Sequence, residues 1–211
     1  ELEMPWETFV QTAYMNRVPL SSSGFYATPK IHYDPKSGTG RPFLYYSNCA
    51  ACAEVVVDTL TGEYRVLRTD ILFDAGRSLN PDIDIGQIEG GFVQGMGWLT
   101  TEELVYSDDG RLLTTGPATY KIPAVSDCPP DLRVTLLPDS PNREATIFHS
   151  KAVGEPPLML GIAVWSALRD AVSSLTDYRF SPPLDTPATP ERVLDAVTAS
   201  QTWADKQQEA S

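Results

Sequence analysis

One apolar run begins directly after two prolines and constrains the fold more than any other segment. Residues 158–169 read Leu-Met-Leu-Gly-Ile-Ala-Val-Trp-Ser-Ala-Leu-Arg, and Pro156 and Pro157 precede them. Proline fixes φ near the helical value and lacks an N–H that a first helical turn leaves unpaired, so we expect a helix over about 157–173. Because nearly every face of this helix is apolar, it requires burial inside a folded domain.

Glu155 stands immediately before this predicted helix and follows Gly154. A carboxylate in that place faces the positive end of the helix dipole and unpaired backbone N–H groups. Most glutamates near a helix start are exposed caps, which makes a structural role the ordinary interpretation. The buried helix and the glycine, which lets another group approach the backbone, favour instead a general base held ionised in a dry place.

A second predicted helix, over residues 83–99, is unusually rich in glycine. Its apolar residues recur at helical spacing, yet it also carries five glycines, each of which destabilises a helix interior by about 0.5–1 kcal/mol relative to alanine. Either another backbone packs very close to this helix or a bulky ligand does, and both interpretations stay open. The glycines are Gly86, Gly90, Gly91, Gly95 and Gly97.

Short predicted strands lie between the helices. Eighteen prolines and fourteen glycines exclude a bundle of long helices, and no strand–helix alternation supports a doubly wound sheet. We therefore predict an α+β fold in which β-hairpins or a mixed sheet pack with several helices. The other predicted elements are a helix over 6–17, a loop over 20–45, a hairpin of 53–60 and 64–73, a second hairpin over 103–115 about Asp109-Gly110, a strand over 132–137, and a helix over 190–199 capped by Thr189.

Charge and cysteine usage exclude several classes of function. The net charge of −12 argues against a nucleic-acid partner, and no run of about twenty apolar residues supports a membrane span. Three cysteines do not form a disulfide framework, so we expect buried free thiols in a reducing, cytoplasmic compartment. Cys49 and Cys52 have C-x-x-C spacing, but no second pair completes a metal site and the two fall on opposite faces of a predicted strand.

Several motifs follow one another in a fixed order along the chain. They are Gly24-Phe25-Tyr26, Asn80-Pro81, Asp84-Ile85-Gly86-Gln87-Ile88-Glu89-Gly90, Phe92-Val93-Gln94-Gly95-Met96-Gly97, Thr101-Glu102-Glu103-Leu104, Thr119-Tyr120-Lys121-Ile122-Pro123, Ser150 to Pro157, and Pro187-Ala188-Thr189-Pro190-Glu191. Together they closely resemble the C-terminal part of the molybdenum subunit of the xanthine dehydrogenase family, in the wider class of xanthine and aldehyde oxidases. The resemblance covers about residues 6–198.

The resemblance implies a role for three residues. Glu155 falls where the family has its catalytic general base. Gln87 matches a glutamine near the pterin cofactor and its metal, and Gly86 beside it is implied to lie against the same cofactor. No residue of this chain is implied to ligate the metal, and the glycines of the 83–99 helix would give clearance for the cofactor.

The implied activity is that of one chain of a larger assembly. It would hydroxylate purines, hypoxanthine to xanthine to uric acid, with water as the oxygen source, and electrons would leave through 2Fe-2S clusters and FAD to NAD. Residues 1–199 would be the C-terminal portion of the molybdenum-cofactor-binding domain, and 200–211 a flexible polar tail. The cofactor would be shared with an upstream polypeptide that carries the rest of the pocket, and the iron–sulfur and FAD groups would lie in partner domains or subunits.

Two alternatives remain open at this point. A sister molybdenum hydroxylase that acts on aldehydes or other N-heterocycles would share the same motifs in this part of the chain. A non-catalytic assembly module could keep the fold without activity, although the presence of both Glu155 and Gln87 counts against it.

Overall fold

The computed structural model describes residues 3–209, which form two compact units. The first unit, residues 3–44, contains helix α1 (Trp6–Met15) and the antiparallel strands β1 (His32–Asp34) and β2 (Thr39–Arg41). The prediction of a loop over 20–45 is therefore wrong for this small hairpin. Its turn is built by Asp34, whose carboxylate accepts hydrogen bonds from the Lys36 N–H at 3.0 Å and the Ser37 hydroxyl at 2.7 Å.

The second unit, residues 45–209, holds a three-stranded mixed sheet in the order β3-β4-β5. Strands β3 (Cys49–Val57) and β4 (Tyr64–Phe73) form the predicted hairpin, and β5 (Asp131–Leu136) lies parallel to β4. The predicted second hairpin is reduced to a single bridge between Tyr106 and Leu112 around the expected turn, so no strands form there. Mixed sheet and separated helices confirm the α+β prediction.

Three α-helices complete the second unit. They are α2 (Pro81–Thr100), α3 (Ile162–Ser174) and α4 (Pro190–Glu209), with short 3-10 helices at Val125–Asp127, Ile147–His149 and Pro156–Gly161. Asn80 caps α2 by accepting a hydrogen bond from the Ile83 N–H, and Pro81 occupies the first turn. Helix α3 buries one stripe formed by Val164, Leu168 and Val172, so its other side is not buried by this chain.

The hydrophobic core lies between the sheet and the helices α2, α3 and α4. Its fully buried side chains come from every one of these elements and include Phe73 on β4, Phe92 on α2, Leu168 on α3 and Val193 on α4. Burying one such side chain contributes roughly 1.5–3 kcal/mol, so this cluster fixes how the sheet and the helices pack.

The flexible tail predicted from residue 200 is wrong for residues 200–209, which continue α4; residues 210 and 211 lie outside the described residues. Trp203 provides the physical reason. Its ring stacks on Phe180 with centroids 5.7 Å apart, and the Arg179 guanidinium lies 5.8 Å from the same ring. These contacts hold the polar end of the helix against the domain.

Candidate functional site

Glu155 lies where an extended segment turns into the 3-10 helix Pro156–Gly161. Its side chain is exposed and makes no capping hydrogen bond to that helix. Only its backbone carbonyl is engaged there, accepting a hydrogen bond from the Leu158 N–H at 3.1 Å. The ordinary interpretation of Glu155 as a helix cap is therefore not supported, and its carboxylate is available to a ligand or substrate.

Two expectations about this segment need correction. The α-helix begins at Ile162 and not at about 157, because two successive prolines and a tight backbone contact confine residues 156–161 to 3-10 geometry. The α-helix dipole therefore acts on Glu155 from farther away than expected. Glu155 is also exposed, so the residues of this chain do not by themselves supply the dry surroundings that the sequence predicts.

Gln87 is brought to the same place from α2. It lies in the second turn of that helix, and its side chain is exposed. A Cβ atom built on Gly154 would stand 3.7 Å from Gln87 Nε2, so this amide lies beside the residue that precedes Glu155. The structure thus brings together two segments far apart in sequence, through Gly154 and Gln87.

The α2 glycines fall into two groups. Added Cβ atoms at Gly91 and Gly95 would stand 2.8 Å from Pro157 Cβ and 2.0 Å from the Leu158 carbonyl oxygen. These positions, and Gly97 against Pro123, answer the question that the sequence left open in favour of close packing by neighbouring segments: a backbone at Gly95 and proline rings at Gly91 and Gly97. The cofactor-clearance interpretation is wrong for these three glycines.

Gly86 and Gly90 behave differently. Both are exposed, and a Cβ on either one would meet nothing within 4 Å. Because residues four apart share one face of a helix, these two glycines form an open stripe on α2 next to Gln87. The stripe leaves room for a bulky group beside the Gln87 amide, and Glu155 directly follows the Gly154 that this amide approaches. We refer to Gly86, Gln87, Gly90 and Glu155 as the open site.

A buried ion pair lies behind the open site, and its pairing was not predicted. Lys151 Nζ donates to Asp74 Oδ2, and Asp74 Oδ1 accepts from the Gly76 N–H and the Ser140 hydroxyl, each at 3.0 Å. Burial acts to raise the pKa of Asp74, but the hydrogen bonds from Lys151, Gly76 and Ser140 outweigh it and lower that pKa. Lys151 therefore pairs with Asp74 and not with Glu155, which lies four residues along the chain.

This lowered pKa predicts acid sensitivity. A carboxyl group whose pKa is lower in the folded state stabilises the fold above its unfolded pKa of about 3.9, and that contribution is lost as the pH falls through the folded value. We therefore expect Asp74→Asn to lower the unfolding temperature at neutral pH, with the gap from wild type narrowing below about pH 4. Thermal unfolding across pH 2–7 measures this, and a gap independent of pH would contradict it.

The cysteines do not form a site. Cys49 and Cys52 fall on alternate faces of β3, and all three thiols are free. Cys52 is exposed, so the expectation of buried thiols is wrong for it, while Cys49 and Cys128 are half-buried. Within residues 3–209, no group of three or more His, Cys, Asp or Glu side chains is arranged to hold a metal ion. In the same range, no helix combines the length and apolarity needed to cross a bilayer.

The sequence model of the family described as "Molybdopterin cofactor-binding domain" matches residues 1–129, well over half of the chain. This chain therefore belongs to the molybdopterin cofactor-binding domain family. The matched range includes Gly86, Gln87 and Gly90, whereas Glu155 lies beyond it.

Curated relatives narrow the comparison to xanthine dehydrogenases. The xanthine dehydrogenase/oxidase of Gallus gallus is 52% identical over 198 residues, which make up 92% of this chain and 14% of that protein. The xanthine dehydrogenase of Dictyostelium discoideum is 49% identical over 199 residues, covering 90% and 14%. The chain thus spans about one seventh of the length of these relatives.

Solved structures share the fold. The aldehyde oxidoreductase of Desulfovibrio gigas is 29% identical with a TM-score of 0.67, over 89% of this chain and 20% of that one. The quinoline 2-oxidoreductase of Pseudomonas putida 86 is 34% identical with a TM-score of 0.61, over 68% and 18%. The fold is therefore that of molybdenum hydroxylase domains whose named substrates differ.

Proposed function

We propose that this chain provides the general base of a molybdenum hydroxylase that oxidises purines. The observation that carries the proposal is the open site: an exposed, uncapped Glu155 follows Gly154, which lies beside the Gln87 amide, and the stripe at Gly86 and Gly90 on the same helix as Gln87 is unfilled. A general base requires a carboxylate that is not already used as a structural acceptor. Identity of about half the residues to xanthine dehydrogenases supports purines as the substrate class.

The residues present fit the molybdopterin cofactor that the family binds. The Gln87 amide would donate hydrogen bonds to the cofactor, and the open stripe at Gly86 and Gly90 would give it room. When bound, the cofactor supplies a two-electron oxidant and activates water as the oxygen source. The Glu155 carboxylate would accept the proton that this water loses as its oxygen bonds to the substrate carbon.

The rest of the reaction requires other parts of the protein. The substrate carbon exchanges a hydrogen for a hydroxyl group whose oxygen comes from water, which releases two electrons and two protons, so an electron acceptor must complete the balance. We propose that 2Fe-2S clusters and FAD in partner domains or subunits pass these electrons to NAD, in a cytoplasmic complex. An upstream polypeptide would complete the pocket and exclude water from Glu155, because the carboxylate is exposed in this chain.

A substrate panel tests the proposal. The complete polypeptide that contains this chain, with its partner subunits, is assayed with hypoxanthine, xanthine and aromatic aldehydes, using NAD and oxygen as acceptors. Purine oxidation at a kcat/KM well above that for aldehydes supports the proposal. The similarity to an aldehyde oxidoreductase favours a second candidate, an aldehyde-oxidising hydroxylase, and the reverse order of kcat/KM would establish it. Molybdenum analysis of the complex separates both from an assembly module without cofactor.

The open stripe gives a prediction about cofactor loading. Gly86→Leu should lower the molybdenum content per complex, because its side chain would occupy the space in which we place the cofactor. Gly86→Ala is the matched control: it improves helix propensity by about 0.5–1 kcal/mol and adds only one methyl group. Metal analysis of both purified variants measures the effect. Equal molybdenum content in Gly86→Leu and Gly86→Ala would remove Gly86 from the cofactor site.

A further inference from the structure

The segment that leads into Glu155 is fixed to the end of the sheet by a buried ion pair. The side chains of Lys151 and Asp74 are 10% and 5% exposed, and the ammonium group donates directly to the carboxylate. Asp74 directly follows the last residue of β4, and Lys151 lies four residues before Glu155. The pair therefore joins the central strand of the sheet to the backbone that delivers the candidate base.

Further hydrogen bonds hold both ends of this pair. Besides Lys151, the Asp74 carboxylate accepts from the Gly76 N–H and the Ser140 hydroxyl, and Lys151 Nζ also donates to the Tyr46 carbonyl at 3.0 Å. Charged groups that are this fully bonded have little freedom to move. Two acceptors, the Asp74 carboxylate and the Tyr46 carbonyl, thereby define the position of Lys151 Nζ.

The backbone on either side of Lys151 is held as well. The Lys151 N–H donates to the Ala75 carbonyl at 2.9 Å, and Gly76 and Ser150 form an antiparallel bridge. The Ala152 N–H donates to the Tyr45 hydroxyl at 2.9 Å. Residues 150–152 thus form a short extended strap along the end of the sheet, three residues from Glu155.

The residues just before this strap adopt an unfavourable backbone. Phe148 and His149 are successive non-glycine residues with φ of +50° and +60°. Such conformations cost of order 1–3 kcal/mol each and persist only where surrounding contacts enforce them. Asn142 supplies those contacts: its N–H donates to the His149 carbonyl at 2.8 Å, and its side-chain amide donates to the Ser150 carbonyl at 3.1 Å.

We propose that Asp74 and Lys151 are positioning residues for Glu155, an inference that rests on the proposed role of Glu155 as general base. A buried ion pair is weak evidence for stability, because apolar side chains of similar volume often stabilise a fold equally well. What the pair provides here is a fixed distance between β4 and the strap. On the far side of Glu155, two prolines and the contact of Leu158 with Gly95 limit motion equally. The backbone that carries Glu155 is held on both sides, while its side chain makes no capping hydrogen bond.

The test is a double-mutant cycle in the complete holoenzyme. Lys151→Met is introduced into wild type and into the Glu155→Gln variant, and the limiting rate of enzyme reduction by saturating xanthine is measured by stopped flow. In wild type we expect a loss of about 10²-fold, the effect of a displacement of about 1 Å, with the apparent Kd for xanthine and the molybdenum content unchanged. In the Glu155→Gln background we expect no further loss, because a group without base function gains nothing from correct placement.

Three companion variants keep the outcome decisive. Lys151→Arg retains the charge and should recover part of the lost rate. If Lys151→Met does not fold, the paired change Asp74→Leu with Lys151→Met removes both buried charges and should fold, yet remain slow. Arg192→Met is the matched control, since it removes the Arg192–Glu103 ion pair (2.7 Å) on α4 and should leave the rate unchanged.

The outcomes separate this inference from the proposed function. A near-normal rate in Glu155→Gln alone would overturn the role of Glu155 and the inference with it. A slow Glu155→Gln combined with a normal rate in the folded Lys151→Met or paired variant would overturn the inference only. Equal losses from Lys151→Met in both backgrounds would also overturn it, because the pair would then act on something other than Glu155.

Discussion

Glu155→Gln should slow the reduction of the enzyme by its substrate by at least about 10²-fold while leaving folding and molybdenum content intact. The amide has nearly the same shape as the carboxylate but cannot accept the proton. Because the Glu155 side chain makes no capping hydrogen bond, the substitution removes no structural contact of that kind. A 10²-fold loss corresponds to about 2.7 kcal/mol of transition-state stabilisation.

The measurement is single-turnover reduction by stopped flow, accompanied by thermal unfolding and metal analysis. Glu191→Gln is the matched control, since Glu191 is also an exposed glutamate in the first turn of a helix, α4, outside the open site. It should reduce at the wild-type rate. Turnover of Glu155→Gln within a few fold of wild type would show that this carboxylate does not act as the base, whatever its position.

Local patterns were sufficient to predict most of the elements. The spacing of apolar residues identified α1 and α2, and the turn at Thr61-Gly62 identified the β3–β4 hairpin. Asn80 and Pro81 form the N-cap and first residue of α2, so the helix begins two residues before the predicted residue 83. Features of this kind depend on residues close together in sequence, and sequence alone carries them.

Features that depend on residues far apart in sequence were not predicted, or were predicted only in part. Nothing near Asp74 indicates that its partner is Lys151, and the polar composition after residue 199 conceals the stacking of Trp203 on Phe180. The hairpin about Asp109-Gly110 had the right turn, but its arms form only one bridge. In each case tertiary contacts, and not local propensity, decided the outcome.

The candidate site likewise combines features that the sequence predicts with features that only tertiary packing determines. Glu155 and Gln87 were identified through motifs in order along the chain, and the structure brings their segments together through the packing of α2 on the 3-10 helix Pro156–Gly161. The exposure of both side chains could not be predicted from their own sequence. Under the proposed function an upstream polypeptide would cover both side chains, and this chain spans about one seventh of the length of its relatives.

The packing of α2 on the 3-10 helix Pro156–Gly161 requires glycine where the two helices meet. Gly95 and Gly161 meet backbone to backbone: a Cβ on Gly161 would lie 2.4 Å from the Gly95 carbonyl carbon, and a Cβ on Gly95 would lie 2.0 Å from the Leu158 oxygen. Real Cβ atoms do not approach other atoms this closely, and backbone atoms cannot rotate away as a side chain can. The contact between α2 and the 3-10 helix sets the distance of residues 155–158 from α2, and therefore the position of Glu155 relative to Gln87.

Gly95→Ala should consequently destabilise the protein by about 3 kcal/mol, at the upper end of the range for overpacking. Gly90→Ala is the same substitution at another position of α2. It should instead stabilise the protein by about 0.5–1 kcal/mol, because the added methyl group meets nothing within 4 Å and alanine has the higher helix propensity. Denaturant unfolding of the cofactor-free protein compares the two. Changes of opposite sign in the free energy of unfolding would establish that α2 needs glycine at position 95 for close contact and leaves open space at position 90. Equal stabilisation by both alanines would mean that α2 and the 3-10 helix do not cross at this distance.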